Sequence, residues 1–189
     1  AYNASTIDTK TEWYKAALQR MQKEYASYPV VGEVNAQLAE LYMDLGSKAE
    51  ATHPDYQLLK TANALCNETI EKYPGTFGAR KCQIISQGLH QQSLSGDIER
   101  YNAANQPVLM KVSYKNMDSV HVLIYQLKES EEYAYYYELK ERLKGLKQVS
   151  AKKIALPASD YFQLHSTEIA FDALGYGDYM VLLSSDPTI

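Results

Sequence analysis

The rhythm of apolar residues changes once along this chain, near residue 105, and that change restricts the fold more than any other feature. Before it, apolar side chains recur every three or four positions. After it, they recur every second position. Trp13, Ala17, Met21 and Tyr25, with Tyr14 and Leu18 beside them, give a first helical stripe that stops at Tyr28-Pro29. A second helix is expected over 33–45, with Val34, Leu38, Leu41 and Leu45 on one face and Gly46 as its C-terminal glycine. A polar loop from Gly46 to Pro54 leads to a third over 55–72, carrying Leu58, Leu59, Ala62, Leu65, Cys66 and Ile70 and ended by Tyr73-Pro74-Gly75. A fourth, over 77–91, carries Phe77, Ala79, Cys82, Ile84, Ile85 and Leu89.

The second rhythm begins after a polar stretch, Ser93–Gln106. Val108, Met110, Val112 and Tyr114 share one face of an expected strand over 107–116, and Asn116-Met-Asp-Ser turns the chain into a second over 119–127. Strands are also expected over 152–156, 161–171 and 178–184, with a tight turn at Gly175–Asp178. Five short strands with turn signals indicate a β-sandwich. Between the second and third, Tyr136, Leu139, Leu143 and Leu146 step at helical spacing. The acidic start at Glu131 and Glu132 and the basic end at Lys144 and Lys147 suit a helix dipole. This predicts a helix over 130–148 inserted into the sandwich. The fold class is therefore α+β in two domains: helical hairpins over 1–95, a linker over 96–106, and a sandwich over 107–189. A sandwich of this kind has about seven strands, so with five the span is expected to stop short of the final strand or strands, leaving an open edge able to pair with a second copy.

Composition excludes several function classes. A formal charge of −4 with mixed signs lacks the basic footprint of a nucleic-acid binder. No apolar run approaches the roughly 18 residues of a membrane span. Zinc-protease spacing and phosphate-binding glycine loops are absent, and Gly175-x-Gly177 is too short to count as one. His53, His90, His121 and His165 are scattered over loop, helix and strands, which gives no metal set. His165 and Ser166 are strand neighbours whose side chains face opposite ways, a poor nucleophile–base pair. No catalytic residue, metal or cofactor is assigned. Asn3-Ala-Ser5 and Asn67-Glu-Thr69 match the glycosylation pattern, but Asn67 falls in mid-helix.

Two features carry local chemistry. Cys66 and Cys82 each lie eight residues from Pro74, which places them at one level of an antiparallel helical hairpin, within reach of a disulfide. Two buried free thiols are the alternative. The chain is also rich in tyrosine, 17 against 3 Phe and 1 Trp, which suits half-buried positions on thin layers. Trp13, Tyr42, Tyr133, Tyr136 and Tyr137 are the residues from which a partner surface would be built, although packing against the sandwich is the stronger account of the last three.

The two helix stops, Tyr28-Pro29 and Tyr73-Pro74, lie 45 residues apart, the scale of a helical repeat array. Ala36–Gly46 resembles the first helix of a tetratricopeptide repeat. With Val112-Ser-Tyr-Lys-Asn116, His165-Ser-Thr-Glu-Ile169 and Leu174–Pro187, the chain resembles the N-terminal region of the alpha-2-macroglobulin-like proteins of Bacteroidetes. That resemblance implies tetratricopeptide-like helices followed by a fibronectin-like macroglobulin domain, a periplasmic or envelope location, and a role related to protease trapping. The partners it implies are further domains of the same polypeptide and a target protease. The family's thioester motif, Cys-Gly-Glu-Gln, is matched neither by Cys66-Asn-Glu68 nor by Cys82-Gln-Ile84, so a non-catalytic structural or docking role is expected of this span. The alternative is a helical-repeat adaptor that binds a peptide or glycan.

Overall fold

The computed structural model describes residues 9–128, 143–157 and 162–186. The chain forms two compact units: Ala1–Gln91 with Asp160–Gln163, and Gln92–Ser159 with Leu164–Ile189. The described residues hold four α-helices and two small antiparallel sheets, an α+β architecture with no closed barrel.

In the first unit, α1 (Lys10–Glu24), α2 (Val31–Lys48), α3 (Leu58–Lys72) and α4 (Phe77–His90) follow the four apolar stripes of the sequence. Their cores meet in one cluster that includes Leu18, Leu38, Leu41, Leu59, Cys66, Ile85 and Leu89. Helix α2 is the centre, with ten buried residues and a single exposed face of Glu33, Glu40, Asp44 and Ser47, whereas α1 buries only Leu18. Helices α2 and α3 run antiparallel: Asn35 near the start of α2 meets Thr69 near the end of α3, and Gly46 lies against Leu59. At its start α4 is capped by Thr76, whose Oγ1 accepts from the Ala79 N–H at 3.2 Å and donates to the Tyr73 carbonyl at 2.7 Å. Gly75 before it has φ of +78°, a left-handed turn that glycine adopts without strain.

Two glycines in this unit act through contact. Gly46 was expected to end the second helix, yet α2 continues to Lys48. A Cβ at Gly46 would stand 3.0–3.1 Å from Leu59, so the glycine is there for close helix approach and not as a cap. Gly78 is more constrained. A Cβ there would fall well inside the van der Waals envelope of the Gly32 carbonyl group, so the first turns of α2 and α4 touch backbone to backbone.

The second unit contains β1 (Ser93–Ile98), β2 (Val108–Lys115), β3 (Ser119–Gln126), β4 (Lys147–Ala155), β5 (His165–Phe171) and β6 (Tyr179–Ser184). One sheet has the order β1-β2-β5 and the other β4-β3-β6, and every pair is antiparallel. The two sheets share an apolar cluster: Val108, Met110, Val112 and Tyr114 from β2, Val120, Val122 and Ile124 from β3, and Ile169 and Phe171 from β5.

Three expectations need correction. The linker over 96–106 begins inside β1, which the sequence hid because its inward positions are Leu94, Gly96 and Ile98. Glycine occupies the middle one because a Cβ would strike the Met110 methyl and stand 2.7 Å from Leu183. The described residues therefore hold six strands against the five expected. The expected helix over 130–148 gives way at its C-terminal end to β4, which starts at Lys147. Residues 129–142, with most of that helix, lie outside the described residues. The expected strand over 161–171 starts only at His165, and Phe162 and Gln163 belong to the helical unit.

The contrast between the two touching glycines is testable by chemical unfolding. Gly78→Ala should cost more than about 3 kcal/mol because backbone must move. Gly32→Ala, whose Cβ would find its nearest neighbour at 3.4 Å, should cost under about 1 kcal/mol.

Candidate functional site

The buried polar groups of the helical unit form a connected set. Gln22 of α1 donates to Asn35 Oδ1 at 2.7 Å, Asn35 Nδ2 donates to Thr69 Oγ1 at 2.9 Å, and Thr69 Oγ1 donates to the Leu65 carbonyl at 2.8 Å. Asn35 and Thr69 are buried, so removing either partner would strand a polar group away from water. The set sits one turn from Cys66 on α3 and faces Cys82 on α4.

The α3–α4 hairpin brings the two cysteines together. Both side chains are fully buried, both are free thiols, and they share a hydrogen bond. That bond and then burial push Cys66 well above the ordinary thiol range, while the same bond pulls Cys82 down. Cys66 therefore keeps its proton at neutral pH. A buried thiol held in that state is no nucleophile at neutral pH.

The other sequence candidates do not converge. Trp13 is 70% exposed on α1, but Tyr42 is 7% exposed, with its hydroxyl accepting from Gln19 Nε2 at 3.2 Å and Lys15 Nζ lying 5.5 Å from its ring centre. Tyr42 is thus a core residue of the α1–α2 interface, and the pair makes no common aromatic surface. Tyr133, Tyr136 and Tyr137 lie outside the described residues. His165 and Ser166 do face opposite ways. The His165 ring lies 5.9 Å from that of Tyr114, while Ser166 Oγ is 2.8 Å from Ser113 Oγ on the exposed side. His53 accepts from the Asp55 N–H to start the short 3-10 turn Pro54–Gln57, and His90 Nδ1 is 2.8 Å from the Ser86 carbonyl. Among the described residues no three metal-ligating side chains come together, and no helix is long and apolar enough to cross a membrane.

Sequence reasoning missed one buried anchor. Gln163 is 7% exposed and donates from Nε2 to the Gly46 carbonyl at 2.8 Å and the Tyr56 carbonyl at 3.3 Å. Its neighbour Phe162 adopts φ of +57° and sets its ring edge-on to His90 at 4.8 Å. A single glutamine inside the expected strand over 161–171 carries no signal of burial against the helices, so only the fold reveals it.

Compared with known proteins, the chain matches no family model, no curated protein and no solved structure.

Two measurements check the thiol pair. The unfolded chain releases the Cys66 proton above the ordinary value of 9.0, and the folded chain keeps it. Unfolding free energy should therefore be constant in this term below that pH and fall above it, by up to about 1.4 kcal/mol per pH unit. Urea unfolding across pH 8 to 10.5 should show a shallower slope in Cys66→Ala than in wild type. Separately, a glutathione buffer rich in the disulfide form should join Cys66 to Cys82. Mass spectrometry after alkylation should then find a closed loop, and unfolding should cost about 3 kcal/mol more than in the reduced chain.

Proposed function

We propose that this chain is a non-catalytic structural and interaction module from the front of an alpha-2-macroglobulin-like protein of the bacterial cell envelope. In this reading the helical unit is a tetratricopeptide-like pair of hairpins, and the strand unit is a macroglobulin-type sandwich of the fibronectin kind. The supporting observation is the strand order. In seven-strand sandwiches of the immunoglobulin type, the first, second and fifth strands share one sheet and the third and sixth share the other. The orders β1-β2-β5 and β3-β6 follow that plan, and β4 takes the place beside β3 that an added strand occupies. A helical segment ahead of such a sandwich agrees with the arrangement that the sequence resemblance implies. The partners of the module are then further domains of its own polypeptide and, through them, a target protease.

Fractionation of the source cells tests the location, and a substrate screen tests the absence of catalysis. Antibody raised against the chain should find it with the envelope fraction, with Cys66 and Cys82 blocked to alkylation until reduced. Recovery in the cytosol with free thiols would overturn the envelope assignment. Turnover of any peptide or glycan substrate that disappears in His165→Ala would overturn the non-catalytic one.

A further inference from the structure

Cys66 and Cys82 form a nucleophilic pair to which the proposed module gives no task. Their sulfurs are in hydrogen-bond contact across the α3–α4 hairpin, so a disulfide between them asks for little backbone movement. Reaching them from outside is another matter. Both side chains are fully buried. Their neighbours one turn away, Ala62 and Thr69 on α3 and Ala79 and Ile85 on α4, are buried as well.

Helix α2 closes the remaining side. It meets α3 at both ends, through Asn35 with Thr69 and Gly46 with Leu59, and it meets α4 backbone to backbone at Gly32 and Gly78. Leu38 and Ala39, between those points, are buried too. An oxidant the size of glutathione disulfide therefore touches neither sulfur while these helices stay together. Separating α2 from the hairpin breaks the Asn35–Thr69 hydrogen bond and the Gly32–Gly78 contact.

We propose that the pair is a redox latch set when the chain folds: the folded unit holds either two thiols or one disulfide, and exchanges them only when its helices open. The chemistry runs in the opened chain. The thiolate of one cysteine attacks a sulfur of glutathione disulfide, whose S–S bond breaks to release one glutathione thiolate. The other cysteine, after losing its proton to solvent, attacks the mixed disulfide and releases the second. Two protein thiols are oxidised and one glutathione disulfide is reduced to two glutathiones, which take up the two protons. Reclosing buries the product as fully as it buried the thiols, so reduction waits for the same opening. Chains folded among oxidants and chains folded among reductants thus stay distinct after their surroundings change. The latch rests on the helical core alone and not on the family proposed above.

Thiol loss in the folded, fully reduced chain is the test. The chain is mixed with glutathione disulfide, samples are alkylated in denaturant, and mass spectrometry follows the free thiols and the joined pair. Thiols should disappear at least about a hundredfold more slowly in water than in urea that unfolds the chain, because only the opened fraction reacts. Urea below the unfolding transition should speed the loss progressively, in step with amide exchange in α3 and α4. A chain refolded with the pair joined should resist reduced glutathione with a similar delay. Gly78→Ala should react at least about tenfold faster than wild type, whereas Gly32→Ala should stay within about threefold of it. The urea series on wild type needs no variant and decides the matter if Gly78→Ala does not fold. The proposal fails if folded and unfolded chains react alike, if urea does not speed the reaction, if the two glycine variants respond equally, or if oxidative refolding leaves the pair unjoined.

Discussion

Two peptide backbones touch where Gly78 of α4 meets Gly32 of α2, and the arrangement of the helical unit follows from that contact. With no side chain between them, the first turns of both helices approach closely enough for α2 to bury all but the face of Glu33, Glu40, Asp44 and Ser47. The close approach has a chemical consequence one turn further along. Cys82 follows Gly78 by four residues and so faces the same way, toward the position where α3 presents Cys66 and Thr69. Asn35, one turn beyond Gly32 on α2, reaches Thr69 from the other side. The polar groups in this core are therefore satisfied as a consequence of the glycine contact. A larger residue at Gly78 would separate the thiols from each other and Asn35 from its acceptor together.

The strand unit rests on a different constraint, the burial of its two middle strands. Strand β2 buries alternate residues, as a strand with one covered face does, and β3 buries four consecutive residues from Val122 to Tyr125. Of those, Val122 and Ile124 face the shared core, while Leu123 and Tyr125, each 8% exposed, face away from it. Hydrophobic stabilisation is thus concentrated in the middle, and the outer strands contribute unequally: β4 is largely exposed, whereas β6 is half-buried along its length and apolar from Tyr179 to Leu183.

What the sequence made legible follows the same division. Stripes of large apolar residues located all four helices to within a few positions, because each helix buries one face against a common core. The equal spacing of Cys66 and Cys82 about Pro74 was legible for the same geometric reason. Glycine was the weak point. Near the end of a stripe Gly46 reads as a stop, and between Leu94 and Ile98 Gly96 interrupts an alternation. In both places the residue is small because a neighbour, Leu59 or Met110 with Leu183, occupies its space. A sequence shows that a side chain is missing but not what fills the gap. Buried polar residues were equally silent: Asn35, Thr69 and Gln163 read as surface positions until their partners are known. Tyr42 erred the other way, an amphipathic ring that could serve a surface or a core and serves the core.

Gln163 shows how far apart in sequence the parts of the helical unit lie. Its side chain donates to carbonyls at the end of α2 and in the turn before α3, 117 and 107 residues earlier. Phe162 packs on the same helical cluster in a backbone conformation that non-glycine residues adopt only when their surroundings require it. Contacts of that separation form late, because the entropy of closing a loop of more than 100 residues must be met before they contribute anything. The helices can assemble from local contacts alone, since each hairpin is short and its apolar face continuous. The last buried hydrogen bonds of the unit, those of Gln163, wait until the chain has passed through four strands. The helical unit is therefore begun by its own first 90 residues and completed by a segment that the strand-forming part of the sequence delivers.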